Sequence, residues 1–335
     1  MDQQTRAALG AWAAAALIAG CGGGGDPGPT PPTLADRTAA ASSTALNNAK
    51  CLAIQPFHWS IGDASGRLAE GSVGTSAPTA QAVMLIASAS KLLYGAWVAE
   101  QRGGVLSAED VRFLTFTSGY TEFDACLPGQ TVAECQSYQG VLIKNGSYVA
   151  ANDGKFFYSG GHMQKHATLN GLGPDDNAAL ALHIMTGLAN VPALGYVEPQ
   201  LAGGVQTSAG EYGRFLQRTL AGQTKIAALL GSHAVCTNPR TCATAVSTPV
   251  PTNESWHYSI GHWVEDDPLV GDGAFSSPGA FGFYPWISAD KQWWGIVARH
   301  DNTGTGDPDP AQRPGVQSVY CGREIRAAWL SAKAR

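Results

Sequence analysis

The stretch Ile86-Ala87-Ser88-Ala89-Ser90-Lys91-Leu92-Leu93 decides the reading of this chain. A helical pattern begins at Ser88 and runs to Arg102, where Gly103-Gly104 stops it. Lys91 follows Ser88 by three residues, so the two side chains share one helical face within reach of each other. A serine hydroxyl is a weak nucleophile and needs a base. A lysine can be that base only when neutral, and burial near the positive end of a helix lowers its pKa. The same helix end stabilises the oxyanion that forms when a serine attacks a carbonyl. Alone, Ser-x-x-Lys fits an ordinary helix cap and a solvated lysine equally well, so the rest of the chain must decide.

Upstream, residues 52–61 alternate, Gly62-Asp63-Ala64-Ser65-Gly66 gives a turn, and residues 67–73 form a second run. This predicts a hairpin. Helical patterns follow over 176–187 and 208–221, and strand patterns return over 256–264, 280–287 and 293–300. A helix over about 316–333 closes the chain. A lone hairpin is barely stable, so the strands from both ends must share one sheet. The expected fold is α+β: an antiparallel sheet from the N- and C-terminal strands, a mostly helical subdomain inserted between, and a cleft where they meet.

Charged residues make up 14% of the 335, against roughly 25% in ordinary soluble domains. Stability is therefore expected from packing and covalent staples rather than ion-pair networks. The net charge is −5 and there is no Lys/Arg run, which argues against nucleic acid as a partner.

Residues 1–20 read as a signal peptide: Arg6, then an apolar run over 7–19 that is short for a membrane span. Ile18-Ala19-Gly20-Cys21 resembles the bacterial lipobox, although Asp2 is atypical of it. That makes Cys21 the expected lipidation site. A Gly/Pro/Thr-rich tether is expected over 21–45 and a single catalytic domain over 46–335. The protein would then be exported and held by its lipid alone, facing the periplasm or cell surface. Six cysteines remain, an even number in an exported chain. Cys126 and Cys135 bracket one short loop and Cys236 and Cys242 another, which leaves Cys51 and Cys321 as a long-range pair.

Six segments, in order, resemble the superfamily of serine β-lactamases, penicillin-binding proteins and class C-like esterases. They are Ile86–Lys91; Phe113-Leu114-Thr115-Phe116-Thr117-Ser118-Gly119; Tyr158-Ser159-Gly160; Gly203-Gly204-Val205-Gln206-Thr207-Ser208-Ala209 with Arg214-Phe215; Tyr258-Ser259-Ile260-Gly261-His262-Trp263; and Ser277-Pro278-Gly279-Ala280. The resemblance spans about residues 52–330. It implies Ser88 as the nucleophile, Lys91 as its base, and Tyr158 as a proton relay whose phenol Lys91 holds near its anion. It also implies an oxyanion hole made by the N–H groups of Ser88 and Ala280.

Three departures stand out. Gly160 replaces the usual Asn, with His162 as a candidate substitute. Ser277, ahead of Gly279, replaces the usual Lys or His that holds a substrate carboxylate, with Arg299 as a candidate compensator. Phe116 replaces a His. Gly160, His162, Ser277 and Gly279 are thus the substrate-binding candidates. His162 and His166 have the spacing of two metal ligands on one helix, but Met163 replaces the Glu of a zinc protease and no carboxylate cluster completes a site. Neither a metal nor a cofactor is expected. The substrate expected is a small ester, amide or peptide; a β-lactamase, a D-alanyl-D-alanine carboxypeptidase and a weakly catalytic binding module of the envelope are the alternatives.

Overall fold

The computed structural model describes residues 31–142 and 144–335. The signal peptide, Cys21 and the tether through residue 30 lie outside the described residues. The tether ends sooner than residue 45, because Leu34–Asn47 is a helix. Thr33 caps it, accepting from Asp36 N–H at 3.2 Å, while the Asp36 carboxylate accepts from Thr33 N–H at 2.9 Å. Its buried stripe of Ala40, Ala41, Thr44 and Ala45 lies along the C-terminal helix Pro314–Ser331.

Eight strands form one antiparallel sheet, in the order Gly66–Val73, Phe57–Asp63, Trp294–Ala298, Tyr284–Ile287, Ala274–Ser276, Trp263–Glu265, His257–Tyr258 and Val235–Cys236. The two ends of the chain meet inside it, with His58 opposite Ala298 and Gly62 opposite Trp294. The first hairpin turns on Asp63, whose carboxylate accepts from Ser65 N–H at 2.7 Å and Gly66 N–H at 3.2 Å. Successive strand residues face opposite sides, and helices cover both. Gly213 of Ala209–Leu220 packs on Trp294, and Gly322 of the C-terminal helix packs on Tyr284 and Val297. The first strand is consequently buried along nearly its whole length. The inserted helices run between residues 90 and 220; Asp176 and Ser208 cap two of them close to where the pattern puts their starts.

Some boundaries differ from expectation. Cys51 lies in the short helix Ala49–Leu52, since the first strand begins only at Phe57. Residues 280–283 form a turn rather than the start of a strand, and Ala274–Ser276 is a strand that the pattern did not suggest. The expectation of no ion-pair network also needs correction. Glu265, fully buried, meets Arg326 at 3.1 Å and Arg323 at 2.9 Å; Arg326 also meets Asp272 at 2.6 Å, and Arg323 meets Glu254 at 2.8 Å. Burial alone would push the Glu265 carboxyl up, but Arg326 and Arg323 hold it at about 2. A buried ion-pair network thus forms where the C-terminal helix meets the sheet.

The cysteines pair as Cys51–Cys321, Cys126–Cys135 and Cys236–Cys242. Cys51–Cys321 joins residues 270 positions apart and is wholly buried. Replacing both by Ala should lower the unfolding free energy by about 2–5 kcal/mol. Urea melts of the oxidised wild type and the variant test this; an unchanged midpoint and slope would show that the staple contributes nothing.

Candidate active site

Ser88 is half-buried, in the 3-10 turn Ala87–Ala89 that links the strand Val83–Leu85 to the helix Ser90–Gln101. Ala87 has φ of 43°, a left-handed conformation unusual for a residue with a Cβ. The turn is pinned from below: Ser90 Oγ donates to Ala87 O at 2.6 Å and accepts from Val205 N–H at 3.3 Å. This sharp entry presents the Ser88 hydroxyl at the head of the helix.

Lys91, one residue into that helix, is buried, and its Nζ lies 2.8 Å from Ser88 Oγ and 2.7 Å from Ala202 O. Among the described residues no carboxylate pairs with it. Burial alone lowers its pKa to about 7. The nitrogen sits 4.8 Å from the centre of the Tyr158 ring. Tyr158 follows the strand Phe156–Phe157 and is fixed by its own N–H to Ser247 O at 3.0 Å. Its ring stacks on Trp263 at 5.4 Å and meets the edge of Phe116 at 5.4 Å. Burial raises its phenol to about 12, outweighing hydrogen bonds with Ser88 and Trp263 that lower it. The expected near-anionic tyrosine is therefore corrected: near neutral pH the phenol keeps its proton, and the lysine is the group that can lack one.

The turn after Ala274–Ser276 closes on Ser88. Ser277 Oγ donates to Ser88 O at 3.0 Å. Gly279 N–H donates to Phe283 O at 2.7 Å, and a Cβ on Gly279 would stand 2.1 Å from Ile86 O, so only glycine allows this approach. Ala280 comes next. Its N–H and that of Ser88 donate to no group among the described residues, and both residues line the cleft.

Ser88, Tyr158 and Ala280 stand where two limbs of the cleft meet. One limb, with about 600 Å³ of empty space including its mouth, is mostly apolar: Pro249, Val250, Trp256 and Trp263, with Arg313 at its side. The other holds about 960 Å³ on the same measure and is mixed, bordered by Lys91, Phe123, Asp124, Gly160, Glu198 and Gln200.

His162 and Arg299 fall elsewhere, and Ser277 is already engaged. His162 is fully buried; its Nδ1 meets Ser118 Oγ at 2.7 Å and its Nε2 meets Phe157 O at 3.0 Å, so it braces the backbone next to Tyr158 and does not replace a side chain at 160. Burial lowers its pKa to about 4, so the ring is neutral. Ser277 spends its hydroxyl on Ser88 O. Arg299 gives no cation to the cleft, since its guanidinium donates to Ile54 O at 2.7 Å and Asp301 at 2.8 Å. His162 and His166 serve separate networks, the latter 2.9 Å from both Asp110 and Tyr94. The sequence reading missed Ala202 O, Phe123 and Arg313. A backbone carbonyl carries no sequence signal, and Phe123 and Arg313 lie in loops outside the six segments.

No family model matches the sequence, and no curated relative matches it significantly. Solved structures do resemble it. A β-lactamase from Mycobacterium bovis shares 13% identity, with 84% of this chain and 96% of that one covered at a TM-score of 0.52. A hydrolase with promiscuous acyltransferase activity, EstCE1, gives 12%, 87%, 98% and 0.56. A penicillin-binding protein from Bacillus halodurans gives 12%, 75%, 93% and 0.50. The fold is the β-lactamase and transpeptidase-like one.

The lowered lysine pKa makes a base role for Lys91 testable by pH. A Lys91 base of pKa about 7 should make covalent capture of Ser88 by a fluorophosphonate accelerate about tenfold per unit as pH rises from 5 and level off above 7. A capture rate flat from pH 5 to 9 would exclude Lys91 as the base.

Proposed function

We propose that this protein is a serine hydrolase that acts through an acyl-enzyme on small esters or amides. The observation that carries the reading is Ser88 Oγ 2.8 Å from a buried lysine with no carboxylate partner. A module that only bound its ligand would need no such lysine, since burying it unpaired is costly.

In this reading neutral Lys91 takes the hydroxyl proton as Ser88 Oγ bonds to the substrate carbonyl carbon. The carbonyl oxygen, now negative, accepts from Ser88 N–H and Ala280 N–H. Tyr158 gives its phenolic proton to the leaving oxygen or nitrogen as that bond breaks, and recovers one from protonated Lys91. Water then attacks the acyl-enzyme, its proton going to the same base, and Ser88 Oγ regains a proton as the acid departs. The fold's likeness to a hydrolase with acyltransferase activity supports acyl chemistry. We also propose that Cys21 is lipidated and the domain faces the periplasm or cell surface. The apolar run over 7–19, the lipobox-like Ile18–Cys21 and three disulfides support this.

Ser88→Ala should abolish both turnover and fluorophosphonate labelling, and Lys91→Ala and Tyr158→Phe should each cost about 100-fold or more in kcat/KM. Labelling that persisted in Ser88→Ala would sink the assignment.

The preference among acyl donors follows from what borders the cleft. A β-lactam presents a carboxylate, and a charge-assisted partner for it contributes about 1.5–3 kcal/mol. Ser277 is neutral and tied to Ser88, and Arg299 is turned away. Arg313 borders the apolar limb, with its Nε donating to Asp307 O. With no cation at 277 and Arg299 turned away, short p-nitrophenyl esters should be turned over with at least tenfold higher kcat/KM than a chromogenic cephalosporin. If the cephalosporin is the better substrate, a lactamase reading replaces this one.

A further inference from the structure

The limb of the cleft that Lys91 borders also carries two carboxylates, Glu198 and Asp124, and the mechanism uses neither. The limb is part of the catalytic cleft, since Ser88, Tyr158 and Ala280 border it too. Among the described residues neither carboxylate has a salt-bridge partner. Asp124 is exposed, and its carboxylate accepts from Lys144 N–H at 2.8 Å. Glu198 is half-buried, and burial raises its carboxyl with no cation to bring it back down. The backbone around Glu198 is fixed. Gln164, wholly buried, donates to Pro199 O at 2.7 Å and accepts from Leu201 N–H at 3.2 Å. Gly204 N–H donates to Gln200 O at 2.8 Å, and Val197 N–H donates to Gly204 O at 2.9 Å. A Cβ at 204 would stand 2.2 Å from Glu198 O, so only glycine allows this approach. The same stretch includes Ala202, whose carbonyl accepts from Lys91. One short segment thus holds both the lysine and Glu198 at the cleft.

A partly desolvated carboxylate without a cation is unfavourable until a ligand supplies one. A substrate ammonium would form a charge-assisted contact with it, and a substrate carboxylate would be repelled. Phe123 and Phe281 border the same limb, and an aromatic face attracts a cation as well. We infer that Glu198, joined by Asp124, is the specificity-determining residue of this limb and selects substrates that carry an ammonium group there. This inference rests on the serine-hydrolase reading and adds the charge of the substrate to it.

The test uses two pairs of esters, each matched in shape and differing in charge. One pair carries the cation on the acyl half: p-nitrophenyl 4-(trimethylammonio)butanoate against p-nitrophenyl 5,5-dimethylhexanoate. The other carries it on the alcohol half: butanoylcholine against 3,3-dimethylbutyl butanoate. At pH 8 the wild-type enzyme should favour the cationic ester at least tenfold in kcat/KM in one pair, after correction for spontaneous hydrolysis. The pair that responds shows which half of the substrate enters the limb. Glu198→Gln should lower that preference at least fivefold. Salt at about 1 M should lower it too, by screening the attraction, and that measurement needs no variant to fold. A ratio near one in both pairs would overturn the proposal, and so would a preference that survives Glu198→Gln or the added salt in full. Turnover of the neutral esters tests the hydrolase reading separately: neutral esters turned over with no preference for charge defeat only the role of Glu198.

Discussion

A buried lysine with no carboxylate partner among the described residues is the constraint on which the rest of this site depends. Lowering its pKa from 10.5 to about 7 corresponds to roughly 5 kcal/mol of disfavoured charge. The sign follows from the direction: the folded state disfavours the charged form, so the penalty is complete below about pH 7 and fades as pH rises toward 10.5. A carboxylate partner would remove it by restoring the charged form. The Ser88 hydroxyl and the Ala202 carbonyl satisfy the nitrogen's hydrogen bonds without adding a negative charge. Tyr158, whose ring lies 4.8 Å from the nitrogen, keeps its proton because burial raises it to about 12. The centre is thus organised by desolvation rather than by charge pairing, and it has to be held rigidly by neighbours that are neutral themselves.

Those neighbours are mostly backbone. Ser277 on Ser88 O and Gly279 against Ile86 O fasten the 277–282 turn to Ser88, which fixes how the Ala280 N–H stands relative to the Ser88 N–H. Ser90 on Ala87 O holds the left-handed residue ahead of Ser88. His162, neutral in the core, braces Phe157 O beside Tyr158. Each contact uses a small or neutral group, because an ion here would shift the lysine that the site needs uncharged. The charges are gathered elsewhere, in the Glu265, Arg323 and Arg326 cluster that locks the C-terminal helix to the sheet.

The sequence revealed the parts whose physics is local or strictly ordered. Ser88 and Lys91 share a helical face, and three residues of spacing carry that information. Ser208 and Asp176 announce helix starts through their capping chemistry, and Cys126 and Cys135 bracket a loop short enough to close. What stayed hidden depends on direction in space. Alternation does not choose a face without a register, so Arg299 could be placed on its strand but not aimed. His162 lies two residues from a motif, yet the helix it begins turns its ring into the core, onto Ser118 and Phe157. The helix Leu34–Asn47 was hidden for another reason: a run of Ala, Ser and Thr resembles a tether until a partner helix covers it.

The same reasoning bears on the glycine at 160. A polar side chain there would place a dipole beside the cleft wall that Lys91 shares, whereas the Phe123 ring, which stands where that side chain would reach, is apolar. The lysine thus gains no further polar partner on that side, in keeping with a pKa lowered by burial alone.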